Sequence, residues 1–223
     1  MIMEISGKRI KQSTEVRQAG LVEAALLLAA QRSPADITTG DLAQAVGITQ
    51  GAVFRHFASK EAVWLAVLDW VSDTLMTRLN AAASAAPDPL AALQAVFTAH
   101  VDFVVGHPGV PRVIFQELQQ AQDTALKNCV RGLMAQYLIL LTGLLVQAQG
   151  QRLLAAGTDL QAAAVLFVGS VQGLVMQSLI SGDVHAMASQ APGVFAICLR
   201  GLTAGAGGPS QTNRTDLDTK ETP

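Results

Sequence analysis

Asp36 to Lys60 reads DITTGDLAQAVGITQGAVFRHFASK, and this stretch decides the fold. It contains two short amphipathic patterns joined at Val46-Gly47-Ile48. In the first, Leu42, Ala43 and Val46 fall at i, i+1 and i+4 and share one face of a helix. Thr38 and Asp41 form a Thr-x-x-Asp pair, in which hydroxyl and carboxylate satisfy the orphan N–H groups of a helix start. Gly47 stands where a chain leaving a helix needs a positive φ. Thr49 is the expected N-cap of a second helix, Gln50 to Phe57, with Val53 and Phe57 turned inward. Two helices joined by a short glycine-containing turn make a helix-turn-helix, which lays its second helix in the major groove of DNA.

Working outward, Ser13 is the expected N-cap of a helix running to about Ala30, with Leu21, Ala24, Ala25 and Leu28 on its buried stripe. Ser33-Pro34 stops it, because the residue before proline is pushed out of the α region. These segments make a three-helix module. On the other side Ser59 caps a helix carrying Val63, Val67, Val71, Leu75 and Leu79 at a spacing of four, which leads into a second domain.

The order Ile37-Thr38-Thr39, Leu42-Ala43, Val46-Gly47-Ile48, Phe54, His56-Phe57 and Lys60, running on into Glu61-Ala62-Val63, resembles the helix-turn-helix of the TetR family of one-component bacterial regulators. The resemblance covers roughly Ala19 to Ala66. It implies a groove-facing set of Thr49, Gln50, Gly51, Ala52 and Arg55. Arg55 suits the O6 and N7 of guanine, Gln50 suits adenine, and the small Gly51 and Ala52 let the helix approach the base edges. Thr39, His56 and Lys60 are expected at phosphates, Lys60 beside the helix start at Ser59. Phe54 belongs to the same contact surface. Many family members carry tyrosine there, so one hydroxyl-to-phosphate contact is missing from this chain.

Composition agrees with packed helices. Apolar residues make up 50% of the 223 and aromatics only 4%, so Ala, Leu and Val build the core. The formal charge of −2 excludes a general nucleic-acid coat. Residues 1–60 nevertheless hold seven Lys and Arg against five Asp and Glu, a net +2, while the remainder is −4. The positive end therefore coincides with the helix-turn-helix. The most apolar windows, Tyr137–Val146 and Ala162–Met176, are interrupted by Thr142, Ser170 and Gln172 and fall short of the roughly 18 apolar residues of a membrane span. The start has no apolar leader pattern. A cytoplasmic protein is expected. Cys129 and Cys198 lie far apart in apolar contexts and read as reduced, unreactive thiols.

The fold class is all-α. Residues 1–12, with Lys8, Arg9 and Lys11, read as a flexible basic arm, 13–58 as the DNA-binding domain and 59–202 as a helical ligand-binding and dimerisation domain. The tail 203–223 has almost nothing to bury and reads as disordered. Within the larger domain, Asp88-Pro89 opens a helix to about Val105, and a turn at Gly106–Pro111 precedes a short helix from Pro111 to Gln119. Further helices are expected at Thr124–Gln149, at 158–180 behind a Thr158-x-x-Gln161 cap, and at Ala188–Leu202.

By family resemblance the last two helices pack on a second copy of the chain. The expected interface holds Ala162, Gly169, Gly173, Met176 and Phe195, and the homodimer binds palindromic double-stranded operator DNA. The resemblance also implies a small-molecule effector, in a cavity lined by Phe97, His100, Val101, Phe115, Met134 and Tyr137. That apolar set suits a hydrophobic or aromatic ligand. Neither a catalytic set, a metal-ligand spacing nor a phosphate loop is present in the sequence, and no cofactor is expected. The function expected is a transcriptional repressor released by its ligand. The alternative is a ligand-independent architectural or cell-division protein on the same fold.

Overall fold

The computed structural model describes residues 13–204, so the expected basic arm and nearly all of the expected tail lie outside the described residues. Among these residues the structure is all-α. Its helices are α1 (Thr14–Gln31), α2 (Thr39–Ala45), α3 (Gln50–Val53), α4 (Lys60–Ser84), α5 (Pro89–Gly106), α6 (Gly109–Leu118), α7 (Ala125–Gly150), α8 (Leu160–Ser181) and α9 (Ala186–Thr203). A 3₁₀ turn, Pro34–Asp36, joins α1 to the helix-turn-helix.

Side-chain caps set most helix starts. Ser13, Ser59 and Thr124 each accept a hydrogen bond from the N–H three residues on, at 3.3, 3.1 and 2.9 Å. Asp88 accepts from both Leu90 and Ala91 at 2.9 Å, with Pro89 in the first turn where its missing N–H costs nothing.

Three boundaries differ from expectation. The cap of α8 is Asp159, which accepts from Gln161 and Ala162 at 2.9 and 3.1 Å, while Thr158 donates to the Ala155 carbonyl. A carboxylate satisfies two orphan donors and suits the positive end of a helix better than a hydroxyl does. Helix α6 begins at Gly109 rather than Pro111, since proline is tolerated inside a first turn. Helix α9 begins at Ala186 and runs to Thr203, past the expected end at Leu202.

The core is continuous. Val63, Val67, Val71, Leu75 and Leu79 of α4 are all buried, and α4 packs against α1 as well as α5 and α7. This helix therefore belongs to both halves of the molecule. Phe97, Phe167 and Phe195 form a ring cluster with centroids 5.3 to 6.3 Å apart, joining α5, α8 and α9.

Helices α5, α7 and α8 reach the length and mean hydropathy of a membrane span, at 1.4, 1.7 and 1.8. Counting uninterrupted apolar residues misses this, because isolated polar residues barely lower an average. Their apolar residues serve two surfaces. One face of α8 is core, with Ala164, Phe167, Val168, Val171 and Val175 buried. The other exposes Val165, Leu166, Met176 and Ile180.

Candidate nucleic-acid interface and effector pocket

The helix-turn-helix is held by hydrogen bonds within its own turns. Thr38 and Asp41 form the expected reciprocal box: the Asp41 carboxylate accepts from the Thr38 N–H at 2.7 Å, and Thr38 Oγ1 accepts from the Asp41 N–H at 3.1 Å. Asp41 also pairs with Arg32 at 2.9 Å. The Thr38 N–H first and Arg32 second hold its carboxyl well below the usual carboxylate range. Gly47 has φ +67°, so α2 closes on a left-handed residue as the sequence requires.

The second helix is shorter than expected. Regular α-helix covers Gln50–Val53, followed by turns through His56, and Thr49 makes no side-chain cap bond. Without that cap a one-turn helix has little to extend it. Val53 and Phe57 nevertheless face inward. The expected contact residues are gathered on one surface: Thr49, Gln50, Gly51, Phe54 and Arg55 are exposed, and Thr39 and Ala52 are partly so. Phe54 is 49% exposed, an unusual position for an aromatic ring.

Three side chains in this set, Gln50, Thr39 and Lys60, are already engaged. Gln50 Nε2 donates to Thr39 Oγ1 at 2.8 Å, so Gln50 must exchange that bond before it can pair with a base. His56 is half-buried; its Nδ1 has no partner and its carbonyl accepts from Gln18 at 2.8 Å. Lys60 Nζ donates to the Ala35 carbonyl at 3.1 Å, tying α4 to the 3₁₀ turn. Arg55 makes no ion pair or hydrogen bond among the described residues, which leaves its five donors available.

A second surface connects this module to the rest of the chain, and sequence reasoning missed it. At Gly109, on α6, a Cβ would collide with the Leu26 carbonyl oxygen and lie 2.9 Å from the Ala30 nitrogen, both on α1. Seven residues after Gly109 on the same helix, the Gln116 side chain accepts the Ala35 N–H at 2.9 Å. The signal in the sequence was Gly-Val-Pro, read as a turn rather than as a close helix crossing.

The other face of α6 walls a pocket of about 120 Å³ among α4, α5, α6, α7 and α8. Four of the expected lining residues are present: His100, Phe115, Met134 and Tyr137. Phe97 and Val101 are not. Both are buried, Phe97 in the ring cluster with Phe167 and Phe195. In their place stand Phe103 and Val104 of α5, Ile114 of α6, and Val168, Val171 and Gln172 of α8. The α8 contribution was legible only in part, because the expected role of that helix was dimerisation.

The polar content of the pocket is small. His100 Nδ1 lies 3.1 Å from the Tyr137 hydroxyl, with the rings edge to face. Burial lowers the His100 pKa to about 4 and raises that of Tyr137, so both are neutral near pH 7. The charged side chains Arg131 and Glu117 stand outside it. Arg131 pairs with Asp123 at 2.6 Å on the surface, and the buried Glu117 carboxylate accepts from Thr124 at 3.2 Å. A wider groove of about 720 Å³ runs past Leu27, Trp70 and His107, but Val16 and Leu27 on its wall are 55% and 60% exposed. Its walls come from α1, α4 and the end of α5, whereas the C-terminal pocket draws walls from five helices.

Of the expected interface residues, Ala162, Gly169, Gly173 and Met176 are exposed on α8. Phe195 is not, being 5% exposed in the chain's own core. Ile197 of α9 is 65% exposed. Both cysteines are free, Cys198 buried and Cys129 half-buried. Burial raises both thiols, and the Asp69 carboxylate raises Cys129 further, which disfavours the reactive thiolate. Among the described residues no three of His, Cys, Asp and Glu come together as metal ligands.

Residues 21–67 match the model of bacterial regulatory proteins of the tetR family. The chain is 29% identical over 121 residues to the nucleoid occlusion factor SlmA of Haemophilus ducreyi, covering 54% of this chain and 60% of that protein. It is 30% identical over 139 residues to the SlmA of Glaesserella parasuis, covering 60% and 69%. The first of these matches thus spans about three fifths of the relative's length. In fold it is similar to the transcriptional regulator FadR of Bacillus subtilis, solved in complex with stearoyl-CoA, with a TM-score of 0.73, 17% identity and coverage of 82% and 98%. With its helix-turn-helix and helical C-terminal domain, the chain belongs to the tetR family of bacterial regulatory proteins, which are DNA-binding transcriptional regulators and not enzymes.

Proposed function

We propose that this chain is a homodimeric repressor that binds palindromic operator DNA and is released by a small hydrophobic or aromatic ligand. The observation that carries this reading is the double use of α6. Ile114 and Phe115 wall the pocket, while Gly109 and Gln116 of the same helix grip α1 and the 3₁₀ turn. A ligand that separates the pocket walls moves α6, and with it the helix-turn-helix. The dimer then leaves DNA to the extent that the ligand prefers the conformer with the wrong half-site spacing. Helix α4, packed in both halves, carries the same displacement.

On the DNA side, Arg55 and Gln50 read bases, Gly51, Ala52 and Thr49 permit close approach, and Thr39, Phe54, His56 and Lys60 lie along the backbone. The exposed face of α8, from Ala162 through Gly169 and Gly173 to Met176, joins Ile197 of α9 as the dimer surface. Such a protein works in the cytoplasm, where its operator is. Domain limits of 13–58 and 59–202 fit this division of labour.

Selecting bound fragments from random DNA and sequencing them tests the first half of the reading. Two inverted half-sites about one helical turn apart support it, and no enrichment overturns it. A second reading follows from the names of the curated relatives, which are nucleoid occlusion factors. A DNA-bound architectural role needs no effector, and the presence of a pocket with a polar pair in its wall favours the ligand-responsive one.

A further inference from the structure

The pocket walls contain no Asp, Glu, Lys or Arg, and their only polar side chains are His100, Tyr137 and Gln172. We infer that the effector is an uncharged molecule about the size of one aromatic ring, carrying a single hydroxyl that the His100–Tyr137 pair receives, and that carboxylates are refused. This inference rests on the effector reading above and narrows it to a chemical class.

Size comes first. A pocket of about 120 Å³ is close to the roughly 150 Å³ of a cavity that takes benzene. It is well below the roughly 300–1,000 Å³ of sites for drug-sized ligands. A long acyl chain exceeds this volume and enters only if the pocket walls move apart.

Charge comes second. A carboxylate buried here meets no cation, and an unpaired buried charge is costly. His100 does not supply one, because burial keeps its imidazole neutral at pH 7.

The hydroxyl follows from the hydrogen-bond inventory. If His100 carries its proton on Nδ1, it donates to the Tyr137 oxygen, leaving the Tyr137 O–H as donor and Nε2 as acceptor. If the proton is on Nε2, the Tyr137 O–H donates to Nδ1, leaving Nε2–H as donor and the Tyr137 oxygen as acceptor. The 3.1 Å contact is the same in both tautomers. Either way the pair offers one donor and one acceptor, and a hydroxyl is the smallest group that can use both. A carboxylate uses only the donor.

The test uses the full chain and four probes: phenol, toluene, benzoate and decanoyl-CoA. Thermal unfolding is followed against probe concentration, and affinity for a selected operator fragment is measured alongside. Phenol is expected to raise the unfolding temperature saturably, and toluene to bind at least about tenfold more weakly for want of the hydroxyl's hydrogen bonds. Benzoate at pH 7.5 gives no shift. In Tyr137→Phe the preference for phenol over toluene shrinks, because only the His100 ring is left to meet the hydroxyl, while toluene still binds and so reports a folded pocket. Benzoate binding as tightly as phenol, or decanoyl-CoA binding where phenol does not, overturns the ligand class. If decanoyl-CoA also releases DNA, the effector reading survives that failure. Phenol binding that leaves DNA affinity unchanged keeps the ligand class and contradicts the effector reading instead.

Discussion

Gly109 sits against the backbone of Leu26, so close that a methyl group there would overlap the Leu26 carbonyl oxygen. One residue on, Val110 lines the C-terminal pocket. The DNA-binding module and the pocket are thus separated by the width of one helix. Gly109→Ala forces α6 away from α1, and overpacking of this kind costs roughly 1–3 kcal/mol. Urea unfolding should show that loss, together with weakened operator binding in the absence of any ligand. Unchanged stability and DNA affinity would mean that the two helices are free to part.

Arg55 and Lys60 differ in what they already hold. Arg55→Ala removes an exposed side chain with no partner among the described residues, so stability should stay within about 0.5 kcal/mol. Specific DNA binding should fall by about 1–3 kcal/mol, with preference relaxed at one base position per half-site. Lys60→Ala also breaks the bond to the Ala35 carbonyl, so it should lower stability as well as the salt slope of binding. Titration against two operator variants at two salt concentrations, with a melting curve for each mutant, separates the two. Equal loss on every sequence for Arg55→Ala would exclude base reading.

The dimer prediction uses a glycine that is free in the protomer. Gly173 is exposed and a Cβ there meets nothing within 4 Å, so Gly173→Leu starts in open space within one chain, and replacing glycine favours the helix. If the outer face of α8 packs on a second copy, the same change disrupts that contact. Sedimentation at micromolar concentration should show a dimer for the wild type and dissociation for the mutant. A mutant dimer of unchanged affinity would move the interface elsewhere.

His100 makes stability depend on pH. Its pKa in the folded chain is lowered to about 4 by burial, against an unfolded value near 6.5. Between these values the unfolded chain binds the extra proton, so stability falls as pH drops from about 6.5 to about 4. The whole span amounts to at most roughly 3 kcal/mol. His100→Gln should flatten that part of the curve in denaturant titrations at pH 4.5 and 7. An identical acid loss in both proteins would assign it to carboxylates such as Asp41 instead.

Much of this was legible in the sequence because the signals were local. Thr38, Asp41 and Gly47 act through bonds to residues three or four away, and each does in the structure what its spacing implies. The stripe Val63 to Leu79 is likewise a property of one helix. What escaped depends on two segments meeting. Phe97 and Phe103 both lie on apolar faces of α5, and only the position of α8 decides that Phe97 is core and Phe103 lines the pocket. Phe195 went the same way, into its own chain rather than outward. Gly109 could be read as a turn glycine until α1 was placed beside it.

The link between pocket and DNA can be tested without knowing the effector. Val130 of α7 is buried and lines the pocket without touching the DNA module. Val130→Phe fills part of the space a ligand would take and presses on α6. Operator affinity should fall by roughly 5- to 150-fold, the usual range of coupling between sites, while circular dichroism and sedimentation show a folded dimer. A folded Val130→Phe dimer that binds operator as tightly as the wild type would contradict the coupling of pocket to DNA.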